Sequence, residues 1–150
     1  MEKLSSPRSR TGSSRKIKSY FSVLETRDGL IEEMSALFRD NDVWITPVSS
    51  GPAFPNRKPG RIHTPIDVDG TRFPGNLAAT GFTCPCNLTG FPAVVLPISK
   101  TDSGLPIGIQ LVGKFQHDRE LLHVAEAMSH WLASRPGFPG LPGFTGAGAI

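Results

Sequence analysis

The chain has little sulfur, few histidines and no long apolar run, and each shortage removes a class of function. No apolar run approaches the roughly 18 residues that a membrane span requires. No secretory apolar segment follows Met1, so the expectation is a soluble, intracellular protein, cytoplasmic in location. The only cysteines, Cys84 and Cys86, are separated by a single proline. That spacing is too tight for an ordinary disulfide and offers at most two thiolates to a metal. With no second Cys or His pair at zinc-ligand spacing, two small buried thiols, no metal and no cofactor are expected.

Glycine and proline are plentiful, at 16 and 14 of the 150 residues. That share is loop-rich yet short of the roughly 25–30% at which low-complexity disorder becomes the better reading. The formal charge of +3 is concentrated in Arg8, Arg10, Arg15, Lys16 and Lys18, interleaved with Ser5, Ser6, Ser9, Ser13 and Ser14. So polar a stretch cannot bury enough surface to offset its ordering entropy, which predicts a disordered basic flank over 1–18. An organellar transit peptide is the first alternative, although no apolar stripe accompanies the arginines. Nucleic-acid binding is the weaker one, because no aromatic or groove-reading element is interleaved with the charge.

Beyond the flank, Val23, Leu30, Met34 and Leu37, flanked by Leu24, Ile31 and Phe38, recur at helical spacing. They predict a core-facing helix over about 18–39. Gly29 lies inside the stripe, which allows a later start with Asp28 as N-cap. Val43-Trp44-Ile45-Thr46, closed by Pro47, reads as a buried strand. Residues 49–72 read as a long surface loop with room for one hairpin near Ile66–Gly70, of the kind that forms a lid or rim. Pro92–Ile98 is almost continuously apolar, the pattern of a strand covered on both faces. Turn residues at 101–104 and the alternation through 107–112 complete an antiparallel hairpin. Asp118 then offers an N-cap for a helix with the stripe Leu121, Ala125, Met128 and Leu132, leaving His123 and His130 on its wet face. From Arg135 the chain is Pro/Gly-rich coil.

Taken in order, Asn-Asp-Val-Trp-Ile-Thr-Pro at 41–47, Cys-Pro-Cys-Asn-Leu-Thr-Gly-Phe-Pro-Ala-Val-Val-Leu-Pro at 84–97 and Gly-Leu-Pro-Ile-Gly-Ile-Gln-Leu-Val-Gly at 104–113 resemble the amidase-signature family. The resemblance continues into Asp118–Glu126 and covers the chain from about Ser19 to the end of that helix. It implies an α/β fold: a piece of a mixed β-sheet, including the antiparallel hairpin, flanked by helices. The expected organisation is a basic flank (1–18), the C-terminal part of an amidase domain (19–134) and a tail (135–150). The resemblance also implies carboxamide hydrolysis through an acyl-enzyme, by a serine activated through a second serine and a lysine. An activated hydroxyl needs a neighbouring base, and its oxyanion needs preorganised donors.

In the family those parts lie upstream of the segments matched here, so the expectation is a portion without catalytic residues, inactive alone. A truncated gene product and a chain complemented by an amidase-like partner are both open. Ser13-Ser14 and Ser49-Ser50 each adjoin a glycine but lack the glycines on both sides that a tight serine-presenting turn needs. His63, His117, His123 and His130 read as solvated surface residues. A pairing of Cys84 or Cys86 with His63 is allowed by the sequence but not required by it.

In the family the segment before Asn-Leu-Thr-Gly lies near the substrate pocket, which makes Pro85, Asn87, Thr89 and Gly90 candidates for the pocket wall or its supporting layer. The competing reading is that Asn87 and Thr89 satisfy the backbone of a loop entering a buried strand. Relatives that take ammonia from glutamine carry an acidic residue seven positions before this Asn. Thr80 stands there, which argues against glutamine. Expected partners are therefore an amide substrate, if a catalytic half is supplied, and an amidase-like chain.

Overall fold

A computed structural model describes residues 17–54 and 64–135. The basic flank up to residue 16, His63 and the tail from 136 lie outside the described residues, as do Ser13 and Ser14. The described elements are α1 (Ile17–Leu37), β1 (Val43–Pro47), β2 (Ile66–Val68), β3 (Thr71–Phe73), α2 (Gly75–Thr80), α3 (Cys84–Thr89), β4 (Ala93–Lys100), β5 (Pro106–Gly113) and α4 (Asp118–Ala133).

The expected hairpin is present. β4 and β5 pair antiparallel with Val94 opposite Leu111 and Leu96 opposite Ile109. The Leu105 N–H donates to the Thr101 hydroxyl at 3.0 Å, and Gly104 takes φ 83°, a conformation that favours glycine. β1 adds antiparallel to the other side of β5, from Val43 opposite Gly113 to Pro47 opposite Ile109, so the order is β1-β5-β4. Side chains alternate across a strand, and β5 shows what that does here. Leu111 and Ile109 turn to α4, where they pack with Leu96, Leu121 and Ala125. Val112 turns the other way, onto Met34 and Phe38 at the end of α1, with Cys86 and Phe91. β5 is thus the middle of three layers. Leu111 and Val112 have no exposed surface, and each burial stabilises by roughly 1.5–3 kcal/mol.

The structure corrects several expectations. α1 runs unbroken through Asp28 and Gly29. The Arg27 Nε donates to the carbonyl of Leu88 on α3 at 2.7 Å, and Met34 and Phe38 are docked on the core, so tertiary contacts on both sides of Gly29 outweigh its cost of about 1 kcal/mol. Only Met34 and Phe38 of the predicted stripe are buried, with Ile31 packed beside them; Val23, Leu30 and Leu37 are exposed. β1 is an edge strand rather than a buried one, with Ile45 54% exposed. β4 is likewise at an edge and not covered on both faces, with Val95 52% exposed.

The long loop contains the hairpin β2–β3, whose turn places Asp69 and Gly70 at φ 51° and 80°. Such a turn needs left-handed residues, which Asp and Gly supply. The segment before β4 is not a loop: α2 and α3 occupy it. At six residues each they are too short to show a period. α3 nevertheless carries a proline in its first turn and ends on Gly90 at φ 81°, whose N–H donates to the Cys86 carbonyl at 2.8 Å.

Candidate functional site

After β1 ends at Pro47 the chain crosses the open end of the sheet. The N–H of Ser50 donates to the carbonyl of Ala78 on α2 at 2.9 Å, and the Ser49 hydroxyl donates to the Gly51 carbonyl at 2.6 Å. These bonds hold Val48–Ala53 as a wall. Facing it are Val95 and Pro97 of β4 and Pro106, Ile107 and Gly108 of β5, and the cleft between them has a volume of about 620 Å³. Small-molecule sites commonly fall in the range of roughly 300–1,000 Å³. Among the described residues its lining contains no charged side chain; Ser49 and Ser50 supply its hydroxyls. A second cavity, about 290 Å³, shares Ser49, Gly51, Pro52 and Ala53 with it and is bounded by Asp67 of β2 and Ala78 of α2.

Gly108 forms the floor by having no side chain. A Cβ there would lie 3.1 Å from Val95 Cγ1, 3.2 Å from the Leu96 carbonyl oxygen and 3.6 Å from Val48 Cγ2. Next along β5 on the same face, Gln110 is 2% exposed, and its amide nitrogen donates to the Thr46 hydroxyl at 3.1 Å and the Phe82 carbonyl at 3.2 Å. The Sγ of Cys86 stands 3.8 Å away. This polar cluster joins β1, β5 and the α3 region under the sheet. Burial pushes the Cys86 thiol up, only partly offset by its backbone hydrogen bond, so the group is held as the unreactive thiol.

The four candidate wall residues gather on α3 and its cap, and none lines the 620 Å³ cleft. Pro85 opens the helix. The Thr89 side chain is buried, its hydroxyl donating to the Pro85 carbonyl at 2.7 Å and lying 3.1 Å from Met34 Sδ. Asn87 is exposed, with its backbone N–H on the Thr83 carbonyl. Gly90 packs beside Phe115. Thr80 donates to the Asn76 carbonyl at 2.8 Å, one turn back in α2.

Among the described residues, the structure brings no base to a nucleophile at the groups singled out. Ser49 donates to a backbone carbonyl, Cys84 is exposed with its Sγ 3.6 Å from the Thr80 hydroxyl, and Cys86 faces an amide. Cys84 thus departs from the expectation of two buried thiols, because helix geometry turns the two cysteines to opposite sides. His117 pairs with Glu120 at 3.3 Å, and His123 and His130 are exposed, as their positions on the stripe predicted. Sequence reasoning missed the cleft lining at Val48, Pro52 and Pro106–Gly108. The available signal was a proline-rich segment directly after a strand end. Among the described residues no group of three or more His, Cys, Asp or Glu could hold a metal ion, and no helix is long and apolar enough to cross a membrane.

Comparison with known proteins places this geometry. The amidase family profile matches residues 5–122. A glutamyl-tRNA(Gln) amidotransferase subunit from a Synechococcus species is 31% identical over 126 residues, covering 82% of this chain and 24% of that protein. The 6-aminohexanoate-cyclic-dimer hydrolase of a Pseudomonas species is 42% identical over 65 residues, 41% of this chain and 13% of that protein. A crystal structure of an amidase superposes with a TM-score of 0.67 at 28% identity, covering 82% of this chain and 26% of that one. The chain therefore spans at most about a quarter of the length of these relatives. With the profile matched over most of its length, the chain belongs to the amidase-signature family.

Proposed function

We propose that these residues form the C-terminal portion of a carboxamide hydrolase that works through an acyl-enzyme, with the serine pair and lysine supplied from outside this chain. One observation carries the reading: the fold superposes on a quarter of an amidase, while Ser49, Cys84 and Cys86 face a carbonyl, a hydroxyl and an amide rather than a base. In this reading residues 19–134 are scaffold, and the cleft between Val48–Ala53 and the β4–β5 hairpin receives one arm of the substrate. α3, with Pro85, Asn87, Thr89 and Gly90, is assigned to the supporting layer of the pocket through Cys86 and Gln110.

The test is hydrolysis of p-nitroacetanilide and benzamide by the purified chain, alone and mixed with an amidase-signature body from which the matching C-terminal quarter has been removed. The chain alone is expected to show no turnover, and the mixture to recover it. Turnover by the chain alone overturns the reading, and Cys84→Ala then shows whether a thiol does the work.

A second reading, a non-catalytic module that pairs with an amidase-like chain, is favoured by the exposed apolar residues Trp44, Ile45 and Val95 on the two edge strands. Its signature is a stable complex with an intact amidase and no gain in turnover.

A further inference from the structure

We propose that the cleft selects the uncharged, apolar arm of a carboxamide. The inference rests on the reading above and deepens it by naming a substrate class. The lining is Val48, Pro52, Val95, Pro97 and Ile107 around Gly108, with Ser49 and Ser50 at one wall. A cationic or anionic group entering it would shed water and meet no opposite charge among the described lining residues, which penalises the charged ligand. Among the described residues, Asp67 borders the neighbouring cavity instead, and Lys100, opposite Pro106 in the ladder, is not part of the lining.

The cleft is also built before a ligand arrives. One wall is anchored by the Ser50 to Ala78 hydrogen bond and the other belongs to the β4–β5 ladder, so little ordering is left for binding. The absence of a side chain at 108 is what keeps Val48 and Val95 close over the floor, since a Cβ would stand 3.1 Å from Val95. A larger residue there would push against Val95 and the Leu96 backbone and reshape the cleft wall.

The experiment is a ¹H–¹⁵N NMR titration of the full chain with three probes of equal length: hexanamide, the same chain ending in an ammonium, and the same chain ending in a carboxylate. Hexanamide is expected to give saturable shifts at the amides of Val48, Ser50, Val95 and Gly108, and each charged analogue to bind at least about ten-fold more weakly, the equivalent of about 1.4 kcal/mol. Ile107→Asp should reverse the order toward the ammonium probe. Val95→Asp, at a more exposed position, repeats the test should the first variant fail to fold. Equal affinity for the three probes, shifts away from the cleft, no saturable shift, or an unchanged order in both variants overturns the proposal. Binding is read without turnover, so the two ideas fail separately. A cleft that binds as stated beside a mixture that never hydrolyses p-nitroacetanilide sinks only the catalytic reading.

Discussion

The amide nitrogen of Gln110 donates to the hydroxyl of Thr46, a residue 64 positions earlier, at 3.1 Å inside the molecule. The two are also register partners on β5 and β1. β1 is therefore held to the sheet by its ladder and by a buried side-chain bond, and the same nitrogen reaches the Phe82 carbonyl just before α3. A single side chain thus fixes the strand that leads into the cleft wall and the segment that leads into α3.

Gln110→Ala should destabilise the chain by about 1–3 kcal/mol, because the partly buried Phe82 carbonyl and the buried Thr46 hydroxyl both lose a donor. Thr46→Val should have a smaller effect. It removes an acceptor whose donor keeps Phe82, although the Thr46 hydroxyl's own bond to the Pro47 carbonyl at 3.1 Å is lost as well. Urea denaturation of the three proteins measures both, and a larger loss for Thr46→Val would show that the cluster is not centred on Gln110.

The two thiols should react at very different rates. Cys84 is exposed, whereas Cys86 is buried and its thiol is raised by desolvation. Brief treatment with iodoacetamide near pH 8 should give one adduct, mapped to Cys84 by mass spectrometry, with a second only after unfolding. The sign for stability follows: the folded state holds the Cys86 proton more tightly than the unfolded chain. That contribution is complete below the ordinary thiol range and is lost as pH rises from there through the raised folded value. Rapid double labelling of the native protein would contradict the burial of Cys86.

Much of the fold is legible in the residues themselves. Thr101–Gly104 and the alternation of Ile107, Ile109 and Leu111 encode the hairpin, and Leu121, Ala125, Met128 and Leu132 encode the packed side of α4, because each is a local pattern with a period. What escaped notice depends on neighbours. Val43–Thr46 has the composition of a buried strand, but burial is decided by how many strands stand beside it, and Ile45 faces solvent at an edge. α2 and α3 make fewer than two turns each, so only their capping residues mark them. The cleft joins positions 48–53 to 95–108, a proximity that no local period expresses.

Gly113→Ala should destabilise by about 1–3 kcal/mol through overpacking, since the new Cβ would stand 3.0 Å from Leu121 Cβ and 3.3 Å from its Cδ1. Leu111→Ala, at a position with no exposed surface, should lose about 2–5 kcal/mol. Combining Gly113→Ala with Leu121→Ala should cost less than the sum of the two single changes, because Leu121→Ala removes the Cδ1 and Cδ2 crowding, although not that with Cβ. Strict additivity in denaturant melts would mean that α4 does not sit directly on Gly113.

The Glu120 carboxylate should titrate below the ordinary carboxylate range. Its own backbone N–H is the main cause; slight desolvation opposes it, and the charge of His117 at 3.3 Å, once protonated, adds to the lowering. A lowered folded value adds stability that is present above the ordinary range and disappears as the pH falls from there through the lowered folded value. Because the group lies in solvent, the effect should show in side-chain ¹³C shifts rather than in a melting curve. His117→Gln should move the Glu120 midpoint upward; an unmoved midpoint would leave the backbone N–H as the whole cause.

The two edges of the sheet should differ in how readily they self-associate. β4 is interrupted by Pro97, which has no N–H to offer, and by an irregularity between Pro97 and Ser99. Proline and bulges are features that blunt an edge against pairing with another chain. β1 has neither before Pro47 at its end, and it carries Trp44 and Ile45 at 39% and 54% exposure. A charge on β1 should therefore hinder association more than a charge on β4. In sedimentation velocity over rising concentration, Ile45→Lys should shift the chain toward monomer more than Val95→Lys, although the exposures of the two residues are nearly equal. The reverse order would mean that exposed area, rather than the open hydrogen-bonding edge, drives association.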